Sequence, residues 1–424
     1  MIPLPKEENV RGAHKIENFR GITLSPIISK VFEHCLIEMF GKYLYSCDNQ
    51  FGFKTKVGCA HAIYIMREVV DYYVKNDSMI NLCLIDVSKA FDKLCQPMLF
   101  LKLMKRHVPV AFIRTLKNWY DNVLICVRWN NVVSSFFRVT CGVRQGGILS
   151  PMLFIVYVDD MLIKLSKHGC SMFGHSLGAL MYADDLVLLA PTIHELQKSL
   201  KLCAVEMEEI GFKINYSKSV GLRIGKNADT SCCAIKMNNE IIPWEREARY
   251  LGMYVMAATR FRCNFDKAKA KFYRTSNAIL SKLGSQRNPY VALHLIATTA
   301  VPILTYGLEA LQLNKTEMAS IEHPWSRTFM KMFWTFDIKI VKQCQMYGGF
   351  LPVEYRNDMQ QINFRNHFQH SGNRILQSFA LRTVPFEISE IANKYLTANV
   401  EQSMFVSQFS KIISKCFKDD VILV

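Results

Sequence analysis

The sequence predicts an α+β core followed by an all-helical C-terminal half. Three observations carry this. Short apolar runs of strand length stand at 80–87, 180–182 and 186–189, segments of helical period separate them, and after about residue 264 nothing alternates. Residues 60–75 open the pattern with Ile63, Met66, Val70 and Tyr73 on one helical face and Arg67, Asp71 and Lys75 on the other, an amphipathic helix. Ile80-Asn81-Leu82-Cys83-Leu84-Ile85-Asp86-Val87 is too brief for a buried helix and suits a central strand whose polar end is Asp86. A glycine-containing loop follows at 142–147, and Ser150-Pro151 supplies an N-cap with proline at the first helical position, starting a helix to about Gly169. Leu180-Met181-Tyr182 and Leu186-Val187-Leu188-Leu189 read as a tight hairpin with Ala183-Asp184-Asp185 at its tip. Helical period returns over 194–210, closed by Gly211, and Phe212-Lys213-Ile214-Asn215 reads as a further strand.

Composition narrows the function classes. Half the residues are hydrophobic and 21% are charged, which excludes wholesale disorder, and 52 Lys and Arg against 36 Asp and Glu give a net charge of +16, the imbalance expected when the partner is a polyanion. The cysteines are scattered without zinc-ligand spacing, and the N-terminus has neither the basic nor the apolar region of a signal peptide, so an intracellular protein is expected. The longest apolar stretch, 291–313, is interrupted by His294, Pro302 and Glu309 and reads as buried helix, with no membrane partner expected. Nucleic acid is then the expected polyanion, and the nucleus and cytoplasm the expected location.

Three carboxylates stand at strand ends: Asp86, Asp184 and Asp185. On neighbouring strands they would converge and repel, raising their pKa values unless hard cations occupy the gap, and two Mg²⁺ ions, or Mn²⁺, would satisfy that arrangement. Capping of a turn is the alternative role for Asp184 and Asp185. A second Tyr-x-Asp-Asp string, Tyr157-Val158-Asp159-Asp160, tests the assignment. It falls mid-helix, with Phe154, Tyr157, Val158, Met161 and Leu165 at helical spacing, so Asp159 and Asp160 are expected to face solvent or cap neighbours.

Asp86-Val87-Ser88-Lys89-Ala90-Phe91-Asp92, Gly142-Val143-Arg144-Gln145-Gly146-Gly147-Ile148-Leu149-Ser150-Pro151 and Tyr182-Ala183-Asp184-Asp185 resemble, in order and spacing, the three central motifs of reverse transcriptases. Ile2-Pro3-Leu4-Pro5-Lys6, Asn18-Phe19-Arg20-Gly21-Ile22-Thr23-Leu24 and Asn49-Gln50-Phe51-Gly52-Phe53-Lys54 resemble the fingers motifs of the non-LTR (LINE-like) retrotransposon branch. Residues 211–218 and Arg249-Tyr250-Leu251-Gly252 resemble its later palm motifs.

This resemblance implies a right-hand polymerase: fingers over 1–79, palm over 80–255 with an insertion at about 93–141, a helical thumb over 256–330, and a helical region of unknown role over 331–424. It implies an RNA-directed DNA polymerase that extends a DNA primer on an RNA template with deoxynucleoside triphosphates. Asp86, Asp184 and Asp185, with the Val87 carbonyl, match the metal ligands. Phe91 matches the steric gate against a 2′-hydroxyl, and Gln145 and Gly146 match the loop that holds the incoming nucleotide. Tyr182 and Arg20 match further nucleotide contacts, Lys218 matches the residue proposed to protonate pyrophosphate, and Lys6 matches a template or triphosphate contact. Lys54 stands where Arg is usual and Gly21 where Pro is common, changes that could weaken template or triphosphate contacts.

Members of the branch carry an endonuclease domain, usually before the polymerase. Here Met1 falls almost on the first fingers motif, so a truncated element is expected, and the rival reading is a non-enzymatic RNA-binding relic. In the thumb, Lys267, Lys271 and Arg274 share one face while Phe265, Ala268, Phe272, Ile279 and Leu283 take the other, a helix that packs inward and tracks phosphates outward. Trp119 and Trp129 are expected in the core, as are Trp334, Phe336 and Phe350-Leu351-Pro352.

Overall fold

A computed structural model describes residues 1–5, 18–284, 288–395 and 402–422, side chains within 402–407 and at 422 excepted. Lys6 lies outside the described residues. The chain forms two compact units: Met1–Gly58, Val69–Ala248 and Ala257–Arg260 make the first, and Cys59–Glu68, Arg249–Met256 and Phe261–Val424 make the second.

The first unit begins with an antiparallel pair, β1 (Ile2–Pro5) and β2 (Phe19–Ile22), then helix α1 (Ile27–Phe40) and helix α2 (Cys59–Lys75), whose first part belongs to the second unit. Strand β3 (Ile80–Ile85) leads into the short helix α3 (Ala90–Lys93), α4 (Gln96–Lys105) and α5 (Val110–Asn122), and α6 spans Ser150–Ser166. The hairpin β4 (Ala179–Tyr182) and β5 (Asp185–Ala190), helix α7 (Ile193–Glu209) and strand β6 (Val220–Ile224) complete the central sheet. Its order is β4-β5-β3-β6, antiparallel throughout, with β3 paired on both edges. That position explains the unbroken apolar run: Ile80, Leu82, Cys83 and Ile85 are all buried. Cys83 and Ile85 of β3 and Leu186 and Leu188 of β5 share a core with Leu153, Phe154 and Tyr157 of α6 and Leu200, Cys203 and Met207 of α7. Each fully buried side chain of this kind is worth about 1.5–3 kcal/mol, so this core holds the sheet whose end carries the acidic residues.

Helix α6 starts differently from the sequence expectation. Leu149, not Ser150, is its N-cap, and no side chain of its own closes the turn. The buried Glu33 of α1 instead accepts the Leu149 N–H at 2.7 Å and an Arg144 N–H at 2.9 Å, a negative charge at a helix N-terminus. Helix α7 follows expectation: Thr192 Oγ1 accepts the Glu195 N–H at 3.1 Å, and Gly211 lies beyond the last turn at φ 73°. Residues 212–215 do not form a strand; only Val87 and Ile214 pair, as an isolated antiparallel bridge. Trp119 is half-buried against Phe32 and the Arg144 guanidinium, but Trp129 is exposed with one edge on Phe19.

The described part of the second unit is largely helical: α8 (Asp266–Leu283), α9 (Pro289–Thr299), α10 (Val301–Thr305), α11 (Lys315–Phe333), α12 (Ile338–Tyr347), α13 (Val353–Asn366), α14 (Arg374–Arg382), α15 (Val384–Asn393) and α16 (Gln402–Ile422). The apolar stretch 289–310 is long and apolar enough to cross a membrane by composition, but it divides into α9 and α10 and buries Ala292, Leu293, Ile296 and Leu304 within this unit.

Two expectations fail here for one reason, that period says which face is apolar but not what stands opposite the other. Arg67, expected on the polar face of α2, is 1% exposed. It reaches Glu387 of α15 at 2.6 Å, and Arg365 of α13 approaches the same carboxylate at 2.7 Å. Burial alone would raise the Glu387 carboxyl, but the two guanidiniums hold it down at about 2. Residues beyond 330 thus seat the start of α2. Conversely, Trp334 and Phe336, expected in the core, are 93% and 89% exposed, while Phe350 and Pro352 are buried and Leu351 half-buried.

Candidate active site

The register of the central sheet brings the acidic residues together. Leu186 of β5 lies opposite Ile85 of β3, so one more residue in the same register sets Asp185 opposite Asp86, on strands about 4.8 Å apart. Tyr182 pairs with Asp185 across the β4–β5 hairpin, leaving Ala183 and Asp184 as the two turn residues. The Asp184 carboxyl is raised above its ordinary value, by burial first and then by the charge of Asp86, while its own backbone N–H and Arg20 oppose the rise. Asp86 and Asp184 therefore feel each other, and Arg20 on β2 stands within electrostatic reach. Asp184 is half-buried and Asp185 exposed.

Beyond β3 the chain is held by residues 213–219. The Asp86 carbonyl accepts the Asn215 N–H at 2.9 Å, the Ser88 N–H donates to the Lys213 carbonyl at 2.9 Å, and the Asp86 N–H donates to Ser219 Oγ at 3.1 Å. Asp86 and Ser88 make the bonds flanking the Val87–Ile214 pair, and in such a pair the middle residue turns its own carbonyl away from the neighbouring strand. The donor set is all oxygen, three carboxylates and one carbonyl, which suits Mg²⁺ or Mn²⁺ over softer metals. Among the described residues no group of three His, Cys, Asp or Glu side chains is already gathered tightly enough to hold an ion. Mutual repulsion of carboxylates is the physical reason to expect a more open arrangement before a cation neutralises them.

Phe91 lies on α3, which Lys89 enters in the left-handed conformation at φ 51°, so the chain turns just past Asp86. Its ring stacks on Phe154 at 4.4 Å, meets Phe53 edge-on at 5.9 Å, and stays half-buried. The 142–147 loop folds against this segment: the Val143 N–H donates to the Phe91 carbonyl at 2.9 Å, and Gln145 Nε2 donates to Asp92 Oδ1 at 3.0 Å. Gly146 has φ 109°, and a Cβ there would stand 2.6 Å from the Thr23 carbonyl, so only glycine lets the loop lie on the chain after β2. Lys218 is exposed, one residue before the Ser219 that holds the Asp86 N–H.

The structure thus brings Asp86, Val87, Asp184, Asp185, Tyr182 and Arg20 to one end of the sheet, with Phe91 on α3 and Gln145 and Gly146 on the loop that folds against it. Lys267, Lys271 and Arg274 lie on α8 in the second unit, all three exposed, with Lys267 Nζ 3.7 Å from the Tyr254 ring. The packed stripe of that helix runs through Phe272, Ser276 and Leu280, with Phe265, Ala268, Ile279 and Leu283 only partly covered.

The decoy string is a structural device. Asp159 is 2% exposed; it pairs with Arg106 and accepts the Cys47 N–H at 2.6 Å, while Asp160 pairs with Lys102 at 2.8 Å. Of the two roles expected for Asp159, facing solvent or capping neighbours, the first is corrected, because α6 is buried on nearly all sides. Sequence reading also passed over Gln50, fully buried and bonded on both sides of Ala183. Its signal was present in the Asn49-Gln50-Phe51-Gly52 string.

Residues 4–255 match the family described as reverse transcriptase (RNA-dependent DNA polymerase). Over 306 residues the chain is 27% identical to the Retrovirus-related Pol polyprotein from type-2 retrotransposable element R2DM of Drosophila melanogaster, covering 70% of this chain and 28% of that protein. It is 23% identical over 311 residues to the RNA-directed DNA polymerase from mobile element jockey of Drosophila melanogaster, covering 69% of this chain and 33% of that protein. The chain spans about a third or less of the length of these relatives. Among solved structures, apo telomerase from Candida tropicalis aligns with a TM-score of 0.39 and 14% identity, covering 86% of this chain and 60% of that one. The family match takes in more than half the chain and every motif around the acidic site, and the protein belongs to the reverse transcriptase family.

Proposed function

We propose that this chain is an RNA-directed DNA polymerase of non-LTR retrotransposon type that extends a DNA primer on an RNA template. The observation that supports it most is the placement of Asp86, Asp184 and Asp185 at one end of an antiparallel sheet, with the Asp184 carboxyl raised by burial and by its neighbour. Carboxylates crowded in this way repel one another, and divalent cations held between them would relieve that repulsion.

The reaction joins the primer 3′-oxygen to the α-phosphorus of a deoxynucleoside triphosphate and releases pyrophosphate. Asp86, Asp184, Asp185 and the Val87 carbonyl are the groups that would hold two divalent ions, Mg²⁺ by preference. Ions held there would supply the charge that activates the attacking oxygen and stabilises the leaving one. Arg20 and Tyr182 border the triphosphate, and Gln145 and the open backbone at Gly146 orient the incoming base and sugar. The Phe91 ring, fixed by Phe154, excludes a 2′-hydroxyl. Lys218 donates a proton to pyrophosphate, and Lys267, Lys271 and Arg274 bind template–primer phosphates without reading sequence.

Purified protein should add dTMP to oligo(dT) on poly(rA) only when Mg²⁺ or Mn²⁺ is present. An absence of extension with either ion, from protein that still binds the duplex, would favour the RNA-binding relic instead.

A further inference from the structure

The residue that fixes the acidic turn lies outside it. Ala183 sits in the left-handed region at φ 56°, a conformation a residue with a Cβ keeps only when its surroundings hold it there. Those surroundings are residues 49–52. The Phe51 N–H donates to the Met181 carbonyl at 2.8 Å and the Met181 N–H to the Asn49 carbonyl at 2.9 Å, so this segment runs alongside β4 as a short parallel bridge. Between those bonds the fully buried Gln50 side chain reaches the turn. Its Oε1 accepts the Ala183 N–H at 3.0 Å and the Gly52 N–H at 2.9 Å, and its Nε2 donates to the Ala183 carbonyl at 3.3 Å. Two backbone donors meet one end of the amide and one backbone acceptor meets the other, so only one orientation of the side chain fits. Gly52 completes the grip: a Cβ there would stand 2.3 Å from the Ala183 nitrogen.

We propose that Gln50 is a positioning residue for the metal-binding turn, holding Ala183 left-handed so that Asp184 is presented toward Asp86. This rests on the polymerase reading for its consequence but not for its measurement. Gln50 touches no reacting atom. It acts through the backbone, and its loss lets Ala183 relax toward an ordinary conformation and carry Asp184 away.

The test compares the full chain with Gln50→Ala, Gly52→Ala, Ala183→Gly and the double variant Gln50→Ala/Ala183→Gly. Mn²⁺ affinity, read by electron paramagnetic resonance without nucleotide, should fall about tenfold or more in Gln50→Ala. Turnover on poly(rA)/oligo(dT) should fall roughly 10–100-fold, with duplex affinity and the KM for dTTP little changed, because a misplacement near 1 Å has that effect on rate. Gly52→Ala should show the same pattern with Gln50 intact, which covers the case in which Gln50→Ala folds poorly. Glycine takes a left-handed backbone without strain, so Ala183→Gly should restore more Mn²⁺ affinity in the Gln50→Ala background than it adds to wild type. Unchanged Mn²⁺ affinity in both Gln50→Ala and Gly52→Ala, or equal effects of Ala183→Gly in the two backgrounds, would overturn the proposal. Wild-type protein that binds Mn²⁺ but extends no primer would refute the polymerase reading while leaving the positioning role measured.

Discussion

Two Tyr-x-Asp-Asp strings stand 25 residues apart in one chain, and the fold gives them opposite roles. In the first, on α6, Asp159 meets Arg106 and the Cys47 N–H, and Asp160 meets Lys102. Their charges are spent on joining elements. In the second, the β4–β5 turn carries Asp184 and Asp185 to a sheet end where the nearest strand adds a third carboxylate, and burial raises Asp184 instead of a cation lowering it. A carboxylate matched to an arginine stabilises the fold, and one placed beside other carboxylates is repelled by them, a repulsion that a cation would relieve. The difference lies in the secondary structure on which the four letters fall.

The largest effect expected from breaking this contrast is on chemistry. Asp184→Asn should lower nucleotide incorporation roughly a thousandfold or more, since metal-held charge contributes several kcal/mol to such a transition state, with duplex binding retained. Equal loss from Asp159→Asn, per folded molecule, would mean the two strings do not differ as described. Asp159→Asn should instead cost about 3 kcal/mol of stability by leaving Arg106 without its buried partner, a shift visible in urea unfolding.

Glu387 extends the same logic to the second unit. Its carboxyl is depressed from 4.5 to about 2, so the stability it contributes is present above its ordinary range and is lost as pH falls from there through about 2. Glu387→Gln should remove that acid-dependent part and lower neutral-pH stability by about 3 kcal/mol, again read by unfolding across pH. A variant whose acid unfolding matched wild type would show that Arg67 and Arg365 do not depend on it.

Phe91→Ala sharpens the functional side. Its ring lies beside the sheet end and not among the carboxylates, so deoxynucleotide addition should persist at a reduced rate while the preference for dGTP over GTP drops about tenfold or more. Single-nucleotide addition on matched templates measures this, and an unchanged preference would make Phe91 a packing residue against Phe154. The smallest effect belongs to α8: removing Lys271 or Arg274 should flatten the dependence of log affinity on log salt by about one unit each. A slope that does not move would remove α8 from the nucleic-acid surface.

Much of the fold was legible because it rests on local period. The apolar run at β3, the hairpin at 180–189 and the helix closed by Gly211 all form where alternation, length and cap residues place them. Local rules failed where a distant charge intervened. Glu33 displaced Ser150 as the partner of the α6 N-terminus, and Glu387 drew Arg67 into the interior. They failed also at Trp334 and Phe336, where apolar character suggested burial that the fold does not supply.

The sequence by itself determined the order and spacing of Asp86, Phe91, Gln145 and the 182–185 string, together with the strand-like runs around them. These are properties of neighbours along the chain, and side-chain period and turn chemistry act over a few residues. Only the tertiary structure decided what each charge meets. Asp86 faces Asp185 through strand register, Asp159 meets Arg106 across two helices, and Gln50 reaches Ala183 from 133 positions away. Electrostatic and hydrogen-bond energies depend on distance in space and on burial, and neither is set by separation along the chain.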